Sequence, residues 1–167
     1  MFDEHDRSTD TDPGGVMPAN LRLHVETLRR RALPAPRVEP RRGRVLIIDD
    51  DPRISLSLQL ILSEWHDVTA LTSPCEALLR MRHGERHDVV LCDVMMPELS
   101  AMDLYAVLER ELPSMAARLV FLTGGAFTPR AFEFLARVDN PRFEKPLDID
   151  ALIALVRCRV ALRVLAE

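Results

Sequence analysis

Lysine is nearly missing from this chain of 167 residues: of its 22 Lys and Arg residues, all but Lys145 are arginine. Codon bias accounts for the rarity but not for the placement of the one exception, a compact and flexible point charge that arginine does not reproduce. Cysteine is scarce and odd in number. Cys75, Cys92 and Cys158 form no CxxC, which excludes a disulfide framework, and they read as reduced, buried small hydrophobes. No apolar run reaches the roughly 18 residues of a membrane span. The acidic N-terminus has no apolar core of a signal peptide, so the expectation is a cytoplasmic protein. There is no GxxxxGK, so Gly124-Gly125 is not read as part of a nucleotide loop. Internal repeats and low-complexity runs are also lacking.

What remains is an ordinary composition, 47% hydrophobic and 29% charged, long enough for one domain and a modest extension. The net charge of −4 is unevenly spread. Residues 1–12 are acidic, residues 21–44 carry eight Arg against two Glu, and the remainder is acidic again. An acidic folded part argues against direct nucleic-acid binding by that part.

Residues 1–19 are polar and acidic with Pro and Gly, and read as disordered. In residues 20–33, Asn20 can cap a helix on which Leu21, Val25, Leu28 and Ala32 share a face. The Pro- and Arg-rich residues 34–44 read as an extended linker. Domain organisation is therefore a partly helical extension over 1–43 and a folded domain over 44–167.

From Arg44 onward the pattern is regular. Strands are predicted at 44–48, 66–71, 88–92, 118–122 and near 142–144. Helices are predicted at 52–65 with Pro52 first, at 74–83 behind the capping box Ser73-Pro74-Cys75-Glu76, at 101–111, at 129–138 behind Thr128, and from Asp148 onward. Strictly alternating β and α segments imply an α/β fold with a parallel sheet covered on both faces. The commonest five-stranded version is the doubly wound, flavodoxin-like (βα)5 arrangement of order 2-1-3-4-5, whose site lies at the carboxyl ends of strands 1 and 3.

Four polar features fall at those ends. Asp49, Asp50 and Asp51 follow the first strand, Asp93 the third, Thr123 the fourth and Lys145 the fifth. The topology gathers carboxylates, a hydroxyl and an ammonium in one crevice. Clustered carboxylates repel one another, and a hard divalent cation such as Mg²⁺, with oxygen ligands that can include a backbone carbonyl, relieves this. An aspartate can act as nucleophile toward phosphorus, with Lys145 and the Thr123 hydroxyl neutralising the phosphoryl oxygens.

The stretches "VLIIDDDP", "DVVLCDVMMPELSAMDL", "LVFLTGG" and "FEKPLD", in this order and spacing, resemble the receiver domain of two-component response regulators over essentially all of 44–167. The resemblance implies an acidic pair at Asp49 and Asp50, a phosphoacceptor at Asp93, a switch hydroxyl at Thr123 and the family's lysine at Lys145, followed by a cis-forming Pro146. It implies Mg²⁺ on Asp50, Asp93 and the Met95 carbonyl, with Asp49 acting mostly through water. It further implies a histidine kinase or histidine phosphotransfer protein as donor, a domain that is no enzyme in its own right but assists its own phosphorylation and dephosphorylation, and output through the face of the fourth and fifth strands and the helices after them. The segment from Leu122 to Asp148 looks most like receivers fused behind histidine kinases, yet no kinase is attached here, so a stand-alone receiver is expected. Two departures stand out. Ala101 replaces a usual glycine, at a cost of about 1 kcal/mol if the backbone there needs positive φ. Arg142 occupies a place that usually holds Tyr or Phe.

Competing readings are specific. A phosphatase resembling the haloacid dehalogenase superfamily would use Asp49 as nucleophile and Asp51 as acid, with Thr123 and Lys145 in support, but leaves Asp93 without a role. A pseudo-receiver would bind partners without accepting phosphate. One of Asp49–Asp51 suffices to cap the following helix. His83 and His87, at i and i+4, straddle a helix end and are not read as metal ligands; Met95 and Met96 read as loop and core contacts.

Overall fold

The computed structural model describes residues 41–125 and 128–164, so the expectations for residues 1–40 lie outside the described residues. The elements are β1 (Arg44–Ile48), α1 (Pro52–Leu62), β2 (Asp67–Leu71), α2 (Pro74–Arg82), β3 (Val89–Asp93), α3 (Ala101–Glu111), α4 (Pro113–Ala116), β4 (Leu119–Thr123), α5 (Pro129–Arg137), β5 (Arg142–Glu144) and α6 (Ile149–Val164). The five strands are all parallel and lie in the order β2-β1-β3-β4-β5. The doubly wound flavodoxin-like arrangement expected from the alternation is the one formed.

Period-two alternation divides the core in two. Leu46, Ile48, Val90, Cys92, Leu119 and Phe121 face the side covered by α2, α3, α4 and α5. Val45, Ile47, Val89, Leu91, Val120 and Leu122 face α1 and α6 through Leu58, Leu62, Leu152, Val156 and Val160. Because β1, β3 and β4 are buried on both sides, they read as unbroken apolar runs.

Local chemistry sets the helix starts. Asp51, Ser73, Ser100 and Thr128 each accept a backbone N–H in the first turn of the helix they precede, and Pro52, Pro74 and Pro129 hold the following position. Three differences from the sequence reading are clear. The short α4 was not anticipated, because four residues are too few to show periodicity. Arg42 and Gly43, assigned to the linker, belong to the fold: the Arg42 guanidinium donates to the carbonyls of Ser63, Glu64 and His66 and to Asp67, and Gly43 packs on Val160. Of the three cysteines only Cys92 is buried; Cys75 and Cys158 are exposed. No described helix is long and apolar enough to cross a membrane.

Candidate functional site

β1 and β3 are neighbours, and their carboxyl ends carry the first two site residues. Asp49 lies just past β1, and Asp93 is the last residue of β3 rather than the first of the following loop. Thr123 likewise closes β4. Asp49, Asp93 and Thr123 are all buried, at 1%, 6% and 2% exposure.

Asp49, Asp93 and Lys145 continue the strand faces that look toward α1 and α6, and there they meet. Lys145 Nζ donates to Asp49 Oδ2 at 2.8 Å and to Asp93 Oδ1 at 2.5 Å. The remaining oxygens are held by backbone: the Asp51 N–H donates to Asp49 Oδ1 at 3.0 Å and the Met95 N–H to Asp93 Oδ2 at 2.8 Å. Ser55, which reads in sequence as an ordinary helix residue, is buried and donates its hydroxyl to the Asp49 carbonyl. These bonds fix two carboxylates against one ammonium. Burial pushes the Asp93 carboxyl above the usual range, more than the Lys145 hydrogen bond pulls it down, and the Asp49 charge adds to the rise. For Lys145, burial works downward, but hydrogen bonds to Asp49 and Asp93 outweigh it and raise its pKa.

Thr123 continues the opposite face of β4, with Leu119 and Phe121. Its hydroxyl donates to the Phe143 carbonyl of β5 at 3.1 Å, and not to Asp93. Asp51 caps α1 and pairs with Arg53 at 2.7 Å, which pulls its pKa down to about 2. Asp50 is exposed at the rim. Lys145–Pro146 is a cis peptide bond. Ala101 opens α3 with no positive φ; the left-handed residue is Glu98, at φ 68° inside a turn closed by Leu99 N–H to Pro97 O at 2.8 Å. His83 is exposed and His87 buried, at 3.0 Å from Glu85, and among the described residues no group of three or more His, Cys, Asp or Glu converges as a metal cluster.

The three carboxylates expected around a metal are thus a buried pair on Lys145 and an exposed Asp50. Their donors are nonetheless of the right kind for Mg²⁺, which takes one or two carboxylates and completes its octahedron with water and carbonyl oxygen. One ammonium among Asp49, Asp50 and Asp93 also leaves negative charge for a cation to balance. Burial pushes the Cys92 thiol far up, so it is no competing nucleophile.

The family model for the response regulator receiver domain matches residues 45–157. The transcriptional regulatory protein BtsR of Escherichia coli is 31% identical over 113 residues, which are 62% of this chain and 46% of that protein. The DNA-binding response regulator MtrA of Mycolicibacterium smegmatis is 30% identical over 120 residues, 71% of this chain and 51% of that protein. The chain therefore spans about half the length of these relatives. Among solved structures, the receiver domain of a Francisella response regulator superposes with a TM-score of 0.60 at 25% identity, covering 72% of this chain and 98% of that one. With its acidic rim, its β3 aspartate and the lysine that follows β5 on one flavodoxin-like sheet, the chain belongs to the response regulator receiver domain family.

Proposed function

We propose that this chain accepts a phosphoryl group on Asp93 from the phosphohistidine of a histidine kinase or histidine phosphotransfer protein. The observation that carries the reading is the double hydrogen bond of Lys145 to Asp49 and Asp93. It supports the reading because the chain's one lysine lies beside the carboxylate oxygen that would attack phosphorus. In that step a new O–P bond forms on Asp93 as the N–P bond of the donor breaks, and the electron pair returns to the donor imidazole. Lys145 keeps Asp93 oriented and offers its charge to the transferred oxygens. The residues that would hold Mg²⁺ are Asp50, Asp93 and the Met95 carbonyl, with Asp49 through water; a cation bound there would neutralise charge on the transferring oxygens.

The domain acts as a cytoplasmic signalling module over 44–167 and not as a turnover enzyme. Output passes to a protein partner at the face built from β4, α5, β5 and α6. The phosphatase reading loses support because Asp51, its acid, is committed to Arg53 and to the α1 cap.

Intact mass after incubation with Mg²⁺ and a small acyl phosphate tests the proposal. Wild type is expected to gain one phosphoryl group, and Asp93→Asn none. A mutant modified as fully as wild type would move the acceptor to Asp49. Wild type left unmodified both by the acyl phosphate and by a phosphorylated histidine donor would favour the pseudo-receiver.

A further inference from the structure

β5 is three residues long, lies at the sheet edge, and carries two side-chain-dependent bonds on consecutive residues. Toward the site, the Phe143 carbonyl receives the Thr123 hydroxyl at 3.1 Å. Away from it, Arg142 Nη1 donates to the Leu135 carbonyl at 2.8 Å. Leu135 sits in the last turn of α5, where carbonyls have no partner within the helix. Arg142 therefore closes the C-terminal end of α5 onto the strand that reads Thr123.

The inner side of α5 is pinned separately. Phe134 meets Tyr105 and Phe121 edge-on, at 5.4 and 5.2 Å between centroids, and Arg130 pairs with Asp103 at 2.7 Å. Between β5 and α5 lies a cleft of about 380 Å³, lined by Thr123, Phe132, Leu135, Ala136, Arg142 and Glu144. Phe132, 68% exposed, stands at its wall, and closing the cleft would cover that ring. α5 is thus fixed on its inner side, strapped at one end and flanked by space on the β5 side.

We propose that Arg142 is a positioning residue for Thr123: it straps α5 to β5 while the Thr123 hydroxyl rests on Phe143, and withdrawal of that hydroxyl toward a phosphoryl group on Asp93 releases the strap. The proposal rests on the phosphoacceptor reading of Asp93. Linkage makes the coupling reciprocal, so cutting the strap must favour the phosphoryl-bound site, and only while Thr123 is present.

Calorimetric titration of the full chain with Mg²⁺ and beryllofluoride, a phosphoryl mimic, tests this as a double-mutant cycle. Arg142→Ala is expected to tighten binding about fivefold, the equivalent of the ~1 kcal/mol of one hydrogen bond. Arg142→Lys, which keeps a donor and the alkyl stem, stays within about twofold of wild type. In Thr123→Ala the Arg142→Ala effect vanishes. An equal shift in both backgrounds, or none in either, overturns the coupling and leaves a merely structural strap, while far-UV circular dichroism of each variant verifies folding. Failure of wild type to bind beryllofluoride overturns the phosphoacceptor reading as well; binding that ignores Arg142 overturns the coupling alone.

Discussion

At Glu98 the backbone holds φ at 68°, a region in which an L side chain crowds its own carbonyl. The family resemblance pointed instead to Ala101, three residues on, as the strained substitution; Ala101 is the first residue of α3 and has no positive φ, and the left-handed backbone falls in the loop before it. Glu98→Gly is therefore expected to raise the urea midpoint at unchanged slope, corresponding to up to about 1 kcal/mol of stability once the extra freedom of glycine in the unfolded chain is deducted. Ala101→Gly should do the reverse, since it removes a buried methyl group from a helical position. Asp49, Asp93 and Thr123 were legible in sequence because each stands at the end of a buried apolar strand, and Lys145 because it is the one lysine of the chain. What could not be read was direction. Period-two alternation sends Asp49, Asp93 and Lys145 to one side of the sheet and Thr123 to the other, and that parity depends on strand ends that pattern locates only to within a residue.

At the scale of elements, alternation of apolar runs with capped helices was enough to give the order and direction of the five strands. The exceptions share a cause. α4 is barely one helical turn, too short for a periodic pattern to repeat, and residues 42–43 look like linker because their role lies in what they touch. A Cβ on Gly43 would fall 2.3 Å from Val160 Cγ2 and 2.7 Å from Cγ1, and the branched valine has little rotamer freedom to yield. Gly43→Ala is expected to cost about 1–3 kcal/mol in urea unfolding by displacing α6. Adding Val160→Ala should bring the double variant below the sum of the two single losses. Strict additivity would mean that this contact does not set the seat of α6 against the start of β1.

For the molecule as a whole, acid sensitivity should arise at the end of the sheet remote from Asp93. His66 and His87 are both buried, and burial, together with Arg42 and Arg157 near His66 and Arg44 near His87, lowers their pKa values, outweighing Asp67, Asp88 and Glu85. The folded chain holds them neutral, whereas the unfolded chain takes up protons near 6.5. Stability from these groups is thus present above pH 6.5 and falls as pH drops below it, by up to about 1.4 kcal/mol per histidine at one unit lower. Unfolding free energies at pH 7.5 and 5.5 should differ less in His87→Leu than in wild type; an equal difference would place the sensitivity among the carboxylates. The solitary lysine has a consequence of another sort. An amine-directed acylating reagent finds only one side-chain target in the entire polypeptide, and that target is clamped between Asp49 and Asp93. The rate of that side-chain acylation, read by peptide mass apart from the N-terminal amine, becomes a built-in clock for how often the clamp opens, without installing any probe.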